Sequence, residues 1–378
     1  MKKRLLVLYS PLGGGHRSAA RAISEAAAAR GHTVEEVNLF EHAPKWVADA
    51  YLRAHLGGQS LLPQVFGSMY FATNRVGGGL EPARHTLERE VFGRIKHVIT
   101  DFRPDAIVST HHLPLVVLAP ERQSGALRVP LVNVVTDYIA HAFWAEPGVD
   151  LHCVPSMRVA NDLVRHGVPR ESIALTGIPV REAFEAIPEV SPSNLRPLNV
   201  LMTSGGFGVG PLRRMVRSFE GIANVRLTVI CGANDRLRKG IARDLERYKI
   251  SGVAVGFENN MPKRIGESDL LVGKAGGLTV SEAMTAGRPM VLVGTVPGNE
   301  SINEAFVVRG CAGISAKAHE VGAAVSSLRV LVPGMSRSAK QLVQHHAAEN
   351  VLAHAIRLAK RVGNRPSHPR LFAGKKAA

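Results

Sequence analysis

The chain has 378 residues, enough for two ordinary domains, each with its own core. A hydrophobic fraction of 45% against 21% charged excludes a disordered chain, and no run approaches the ~18 apolar residues that cross a bilayer. The 47 Lys and Arg against 31 Asp and Glu leave a formal charge of +16, which suits nucleic acid, an anionic membrane face, or simply a solvated basic surface.

Leu5–Tyr9 is an apolar run that reads as a first buried strand. It stops at Ser10-Pro11 and enters a glycine loop, where a secretory signal would carry a small-residue cleavage site, so a cytoplasmic protein is expected. An Ala-rich helix over Ser18–Arg30 and a strand at Thr33–Val37 follow. Residues 41–94 then interrupt the alternation with Trp46, Tyr51, Phe66, Tyr70 and Phe71 among glycine and basic residues. This insert has two readings, a lid or amphipathic hairpin at a lipid interface or an ordinary pair of core helices. Short strands at Ala106–Ser109, Leu131–Val135 and Leu151–Val154 and a helix around Met157–His166 complete a first domain, 1–186.

The stretch 187–197 carries three prolines and reads as a linker. The pattern restarts with strand Leu198–Met202, helix Pro211–Glu220, strand Arg226–Ile230 and helix Asp235–Tyr248. Strand Leu270–Val272, helix Thr279–Ala286 and strand Met290–Val293 continue a second domain, 198–345. A C-terminal helix over 346–362 and a basic tail, 363–378, expected to be disordered, end the chain. Alternating strands and helices imply an α/β protein of two Rossmann-like, doubly wound domains facing a cleft. Cys153, Cys231 and Cys311 have no paired spacing, which argues against disulfides and zinc.

Three glycine loops join strands to helices. Ser10-Pro-Leu-Gly-Gly-Gly-His16 comes close to a dinucleotide fingerprint, with Glu35 and Glu36 ~20 residues on, but its third glycine is Ser18. Thr203-Ser-Gly-Gly-Phe-Gly-Val-Gly210 and Gly273-Lys-Ala-Gly-Gly277 both precede helices, whose starts offer N–H donors and partial positive charge to an anion. Neither is a P-loop, and no D-x-D pair is present, so no metal site is expected and helix dipoles are left to stabilise a leaving diphosphate.

These residues together resemble the family of monogalactosyldiacylglycerol synthases and processive diacylglycerol glucosyltransferases, which are related to the peptidoglycan-precursor N-acetylglucosaminyltransferase. The likeness runs from Leu5 to about Gly313 and rests on Gly13-Gly-Gly-His-Arg17, Thr136-Asp-Tyr-Ile-Ala-His-Ala-Phe-Trp144, Thr176-Gly-Ile-Pro-Val180, Gly273-Lys-Ala-Gly-Gly277 and Pro297-Gly-Asn-Glu-Ser-Ile-Asn303. Ala275 stands where the family has proline, and Asn299 where it has glutamine, a change that bears on which sugar is taken.

The resemblance implies a GT-B fold and inverting transfer of a hexose from a UDP-sugar to diacylglycerol, with no cofactor beyond the donor. It also implies attachment to the inner, anionic face of the cell membrane and no nucleic-acid partner. Gly205, Gly206, Gly276 and Gly277 would cradle the diphosphate and Thr279 would lie beside it. Glu282 would take the ribose, or else be a first-turn glutamate favouring the helix dipole. Asn299, Glu300 and Asn303 would orient the hexose. Phe257 falls at the uracil loop or in the core. The acceptor side takes Gly14, Gly15, His111, His112 and Trp144. The base that the lipid hydroxyl requires is His16, or Asp137 with His141, the latter also readable as a structural histidine. Transfer to a polyprenyl-linked precursor, a UDP-sugar epimerase, a nicotinamide oxidoreductase and a non-catalytic lipid sensor are the competing readings.

Overall fold

The computed structural model describes residues 2–51, 53, 63–75, 77, 81–190, 196–203, 210–295 and 297–363. The chain forms two units, Met1–Glu182 with Gln344–Ala378 and Ala183–Val343. The expected tail beyond 363 lies outside the described residues, as do Gly205 and Gly206.

The first unit is built on six parallel strands: β1 Arg4–Tyr9, β2 Thr33–Asn38, β3 Ala106–Ser109, β4 Leu131–Val134, β5 Leu151–Val154 and β6 Ile173–Leu175. Their order is β2-β1-β3-β4-β5-β6. The central strands are apolar on both faces because each face is covered. Leu6, Leu8, Ile107 and Leu131 join one core cluster, while Leu5, Val7, Val108 and Val132 join another. The helices are α1 Gly14–Ala29, α2 Pro63–Ala72, α3 Glu81–Phe92, α4 Ile95–Phe102, α5 His112–Gln123 and α6 Met157–Arg165. The winding reverses between β1 and β3, and the loops leaving these strands diverge at the edge where doubly wound sheets take their ligands.

The insert contributes to the core and also exposes apolar surface. Tyr51 and Phe92 meet the ring of Phe40 at 5.7 and 5.2 Å, and buried Glu88 accepts from Arg84 at 2.9 Å within α3. Trp46, by contrast, is 75% exposed, and Phe71 is exposed as well. Among the described residues no helix is long and apolar enough to cross a membrane.

The second unit repeats the plan with β7 Leu198–Thr203, β8 Val225–Ile230, β9 Gly252–Val255, β10 Leu270–Gly273, β11 Met290–Leu292 and β12 Gly313–Ser315. All are parallel, in the order β12-β11-β10-β7-β8-β9, so the winding reverses between β7 and β10. Its helices are α7 Leu212–Arg217, α8 Asp235–Arg247, α9 Met261–Gly266, α10 Gly277–Thr285, α11 Asn299–Arg309, α12 Val321–Leu328 and α13 Val332–Leu342. The start of the expected linker packs into this unit: Ile187 accepts at its carbonyl from Lys340 Nζ at 3.0 Å, and the Val190 N–H donates to Ser336 Oγ. Residues 191–195 lie outside the described residues. Arg288 is buried and donates to the carbonyls of Ile265, Ser268, Pro188, Ala286 and Gly266. Burial pushes its pKa down to about 10, which leaves it charged at neutral pH.

A last helix, α14 Ala347–Gly363, returns to the first unit. Its Val351, Leu352, Ala355 and Ala359 pack with Leu5, Val7, Ala20 and Ile23, and Glu349 pairs with Arg30 at 2.7 Å. Gly177 makes room for this return. It sits at φ 87°, and a Cβ there would lie 2.8 Å from the Gln344 carbonyl oxygen and 2.9 Å from Ala347 Cβ.

Candidate active site

The loop after β1 turns through Gly13, at φ 85°, and α1 begins at Gly14 with no side-chain cap. Gly14 and Gly15 therefore open the helix with unprotected N–H groups, and His16 follows in the first turn. His16 Nδ1 lies 2.7 Å from the Thr110 carbonyl oxygen, at the end of β3. A carbonyl only accepts, so in the neutral ring Nδ1 carries the proton and Nε2 the lone pair. The Thr136 hydroxyl sits 3.1 Å from the same Nδ1.

Around His16 the expected acceptor-side residues converge into one cluster of rings. His111 meets it edge-on at 4.5 Å, His112 lies 4.2 Å from His111, and Phe143 5.3 Å from His112. His141 continues to Phe143 at 4.0 Å and Tyr70 at 4.7 Å. Trp144 is buried 6.4 Å from His16 and 6.0 Å from His112. His111 caps α5, its Nδ1 accepting from the Leu113 N–H at 3.1 Å.

His141 is held by main-chain groups on both sides of its ring. Its Nδ1 accepts from the Phe143 N–H at 3.2 Å, closing the single turn Ala142–Trp144. Its Nε2 faces the Tyr70 carbonyl at 2.9 Å. Both nitrogens are thus taken by main-chain groups, which ties α2 of the insert to this loop. Asn74 strengthens the tie by accepting from the Ala142 N–H at 2.8 Å. Asp137 lies near Tyr70, where burial first and the Asp137 and Asp162 carboxylates second push the phenol pKa up.

Beneath the rings runs a buried polar row across three strands. Ser109, Asn133 and His152 stand in register on β3, β4 and β5. Ser109 donates to the His111 carbonyl at 2.6 Å, and Asn133 donates to His152 Nδ1 at 3.0 Å and the Trp144 carbonyl at 3.4 Å.

In the second unit the loop after β10 leads through Lys274, Ala275 and Gly276 into α10. Gly276 caps the helix without a side-chain bond and Gly277 opens it, so first-turn N–H groups remain for an anion. Thr279 lies in this turn, with Oγ1 3.9 Å from where a Cβ on Gly276 would stand. Asn299 and Glu300 begin α11, capped by Gly298 at φ 119°. Asn303, expected to orient a hexose, is buried and donates to the Ala275 carbonyl at 2.9 Å, which ties it to the loop before α10. Glu282 stands in the second turn of α10, whose first turn has no acidic residue, which removes the helix-dipole reading. Phe257 follows β9 and is 62% exposed, so it is not a core residue.

Residues 16–180 match the family model described as monogalactosyldiacylglycerol (MGDG) synthase, and 199–308 the glycosyltransferase family 28 C-terminal domain. The chain is a glycosyltransferase whose first unit is similar to the monogalactosyldiacylglycerol synthase family. Two relatives are named processive diacylglycerol beta-glucosyltransferase. The one from Bacillus subtilis (strain 168) is 26% identical over 364 residues, 92% of each chain. The one from Bacillus cereus (strain B4264) is 25% identical over 324 residues, 82% of this chain and 81% of the relative. The crystal structure of Acinetobacter baumannii MurG superposes with a TM-score of 0.65 at 16% identity, covering 94% of this chain and 99% of that one, which shows the GT-B fold.

For this glycosyltransferase the two family models fall one on each unit, 16–180 in the first and 199–308 in the second. Sequence reasoning missed Thr110 and Thr136, the partners of His16, and Tyr70 and Asn74, which hold the His141 turn. Thr136 stood inside the T-D-x-x-x-H-x-x-W motif, where Asp and His drew the attention. Nothing in the sequence around 70–74 signals a link to 141–142.

Proposed function

We propose that this glycosyltransferase moves a hexose from a UDP-sugar to the hydroxyl of diacylglycerol, inverting the anomeric carbon. The observation that carries the chemistry is His16, whose Nδ1 faces the Thr110 carbonyl at 2.7 Å, which puts the ring proton on Nδ1 and the basic lone pair on Nε2. In a single displacement the lipid O–H gives its proton to Nε2 as its oxygen bonds to the anomeric carbon. The bond from that carbon to the β-phosphate oxygen breaks, and its electron pair leaves with UDP. The N–H groups at the start of α10 offset the charge on the leaving diphosphate, Glu282 takes the ribose, and Asn299 and Glu300 take the hexose. No metal enters this scheme, so excess EDTA should leave the rate unchanged, and a rate lost to EDTA and restored by a divalent cation would remove that part of the reading.

Support for the lipid acceptor comes from the family model over 16–180 and the names of the two Bacillus relatives. Attachment to an anionic membrane surface on the cytoplasmic side accords with the +16 charge and with exposed Trp46 and Phe71 in the insert. Co-sedimentation with liposomes should rise with anionic lipid and fall with salt, and indifference to both would count against it.

The deciding experiment follows UDP release from UDP-glucose and UDP-galactose, with and without diacylglycerol in anionic micelles, with lipid products separated by chromatography. Release that depends on diacylglycerol and yields a glycolipid is expected. Donor binding without a lipid product would overturn the acceptor and leave polyprenyl carriers or epimerisation.

A further inference from the structure

We propose that Glu304 is a positioning residue for the donor sugar, its carboxylate bracing the segment before α11 so that Asn299 and Glu300 meet the hexose at a fixed place. This rests on the reading of those two residues as the hexose contacts.

The segment between β11 and α11 is held near both ends. The Val293 N–H donates to the Gly273 carbonyl at 2.9 Å, and the Gly298 carbonyl accepts from Ser301 Oγ at 2.7 Å. Between these points Thr295 donates its hydroxyl to Glu304 Oε2 at 2.5 Å. The other carboxylate oxygen, Oε1, accepts from the Ser315 hydroxyl at the end of β12. Ser315 is fixed by the sheet, where it stands in register with Leu292 of β11. A carboxylate only accepts, so both bonds are charge-assisted and belong to the stronger kind. A glutamate kept for solubility would extend into water, whereas this one is half-buried with both oxygens engaged. Glu304 also lies four residues after Glu300, on the same side of α11. Its neighbour Asn303 donates to the Ala275 carbonyl before α10. Adjacent residues of one turn thus hold two loops, and α11 sets the spacing between the diphosphate cradle and the hexose residues.

The test measures binding of UDP, UDP-glucose and UDP-galactose to the full-length protein by calorimetry, without acceptor. UDP carries no hexose, so E304A should keep its affinity for UDP. For the UDP-sugar that the unsubstituted protein binds more tightly, E304A should lose about tenfold, the scale of one hydrogen bond to a charged group. T295V keeps the β-branched shape without the hydroxyl and should lose a similar factor. The double variant should lose no more than E304A, because both substitutions remove the same bond. E304Q, whose amide can still bond to both hydroxyls, should recover most of the loss. Retained UDP binding reports a folded second unit, and if E304A does not fold, T295V decides by the same comparison. Unchanged UDP-sugar affinity, equal losses for UDP and UDP-sugar, or losses that multiply in the double variant would each overturn the positioning role. N299A and E300A test the underlying reading separately: if both bind the UDP-sugar as the unsubstituted protein does, the hexose assignment fails. If they bind it weakly while E304A and T295V do not, Glu304 alone is overturned.

Discussion

Asn303 donates its amide to the Ala275 carbonyl at 2.9 Å, a bond that spans 28 residues of sequence and fixes the loop before α10. N303A leaves that carbonyl without this donor in a fully buried place. We expect a loss of about 2 kcal/mol in denaturant unfolding of the second unit. The KM for the UDP-sugar should rise about tenfold with little change in acceptor KM. A donor KM equal to wild type would show that the loop holds its shape without the bond.

Gly177 combines a positive φ with the closest approach of the returning chain. G177A should lower stability by about 2–4 kcal/mol. Gly167, at φ 90° with nothing within 4 Å of its Cβ position, is the control, since G167A carries the strain without the clash and should cost only about 1 kcal/mol. Equal losses in the two variants would place the whole effect in the backbone conformation.

His152 is buried, and that burial pushes its pKa from 6.5 down to about 3. The unfolded chain takes up a proton below 6.5 that the folded one refuses, so this contribution is intact above pH 6.5 and drains away as pH falls toward 3. Its size is about 2 kcal/mol by pH 5. H152Q keeps an acceptor for Asn133 but does not titrate, and it should lose correspondingly less between pH 7 and pH 5. The quenching or shift of buried Trp144 is the readout for this unit, and parallel losses in both proteins would assign the acid sensitivity elsewhere.

His141 and His16 are expected to separate by readout. H141A removes the closure of the Ala142–Trp144 turn and the link to α2, so its melting temperature should fall by several degrees while the surviving folded protein keeps kcat within about tenfold. H141N, which can still accept from the Phe143 N–H, should recover much of the stability. An H141A protein of normal stability and abolished turnover would move the base to His141.

Much of the fold was legible because the central strands are apolar on both faces: Ala106–Ser109 and Leu151–Val154 stand where they were expected. The strands that escaped notice, β6, β9 and β12, all lie at sheet edges, run three or four residues, and are partly exposed, so they lack the apolar signal. Helix α1 starts at Gly14, earlier than Ser18, because glycines that weaken a helix interior are tolerated where the first N–H groups need no partner. In the site the residue types were readable but their duties were not. His16 and His141 look alike as letters, and what distinguishes them is Thr110 and Tyr70, 94 and 71 residues away. Asn303 sits in a motif read for contact with a sugar, and its bond to the Ala275 carbonyl, 28 residues away, could not be read from that motif.

The first unit is closed by a helix translated after the whole of the second unit. On a ribosome moving at ~5–20 residues per second, the face of β1 and α1 that receives Val351, Leu352 and Ala355 stays bare for some tens of seconds. The second unit, whose strands and helices are contiguous in the chain, has every part it needs by then. Synthesis therefore reverses the usual order, completing the later unit first, and the nascent first sheet becomes a natural client for chaperones until α14 emerges.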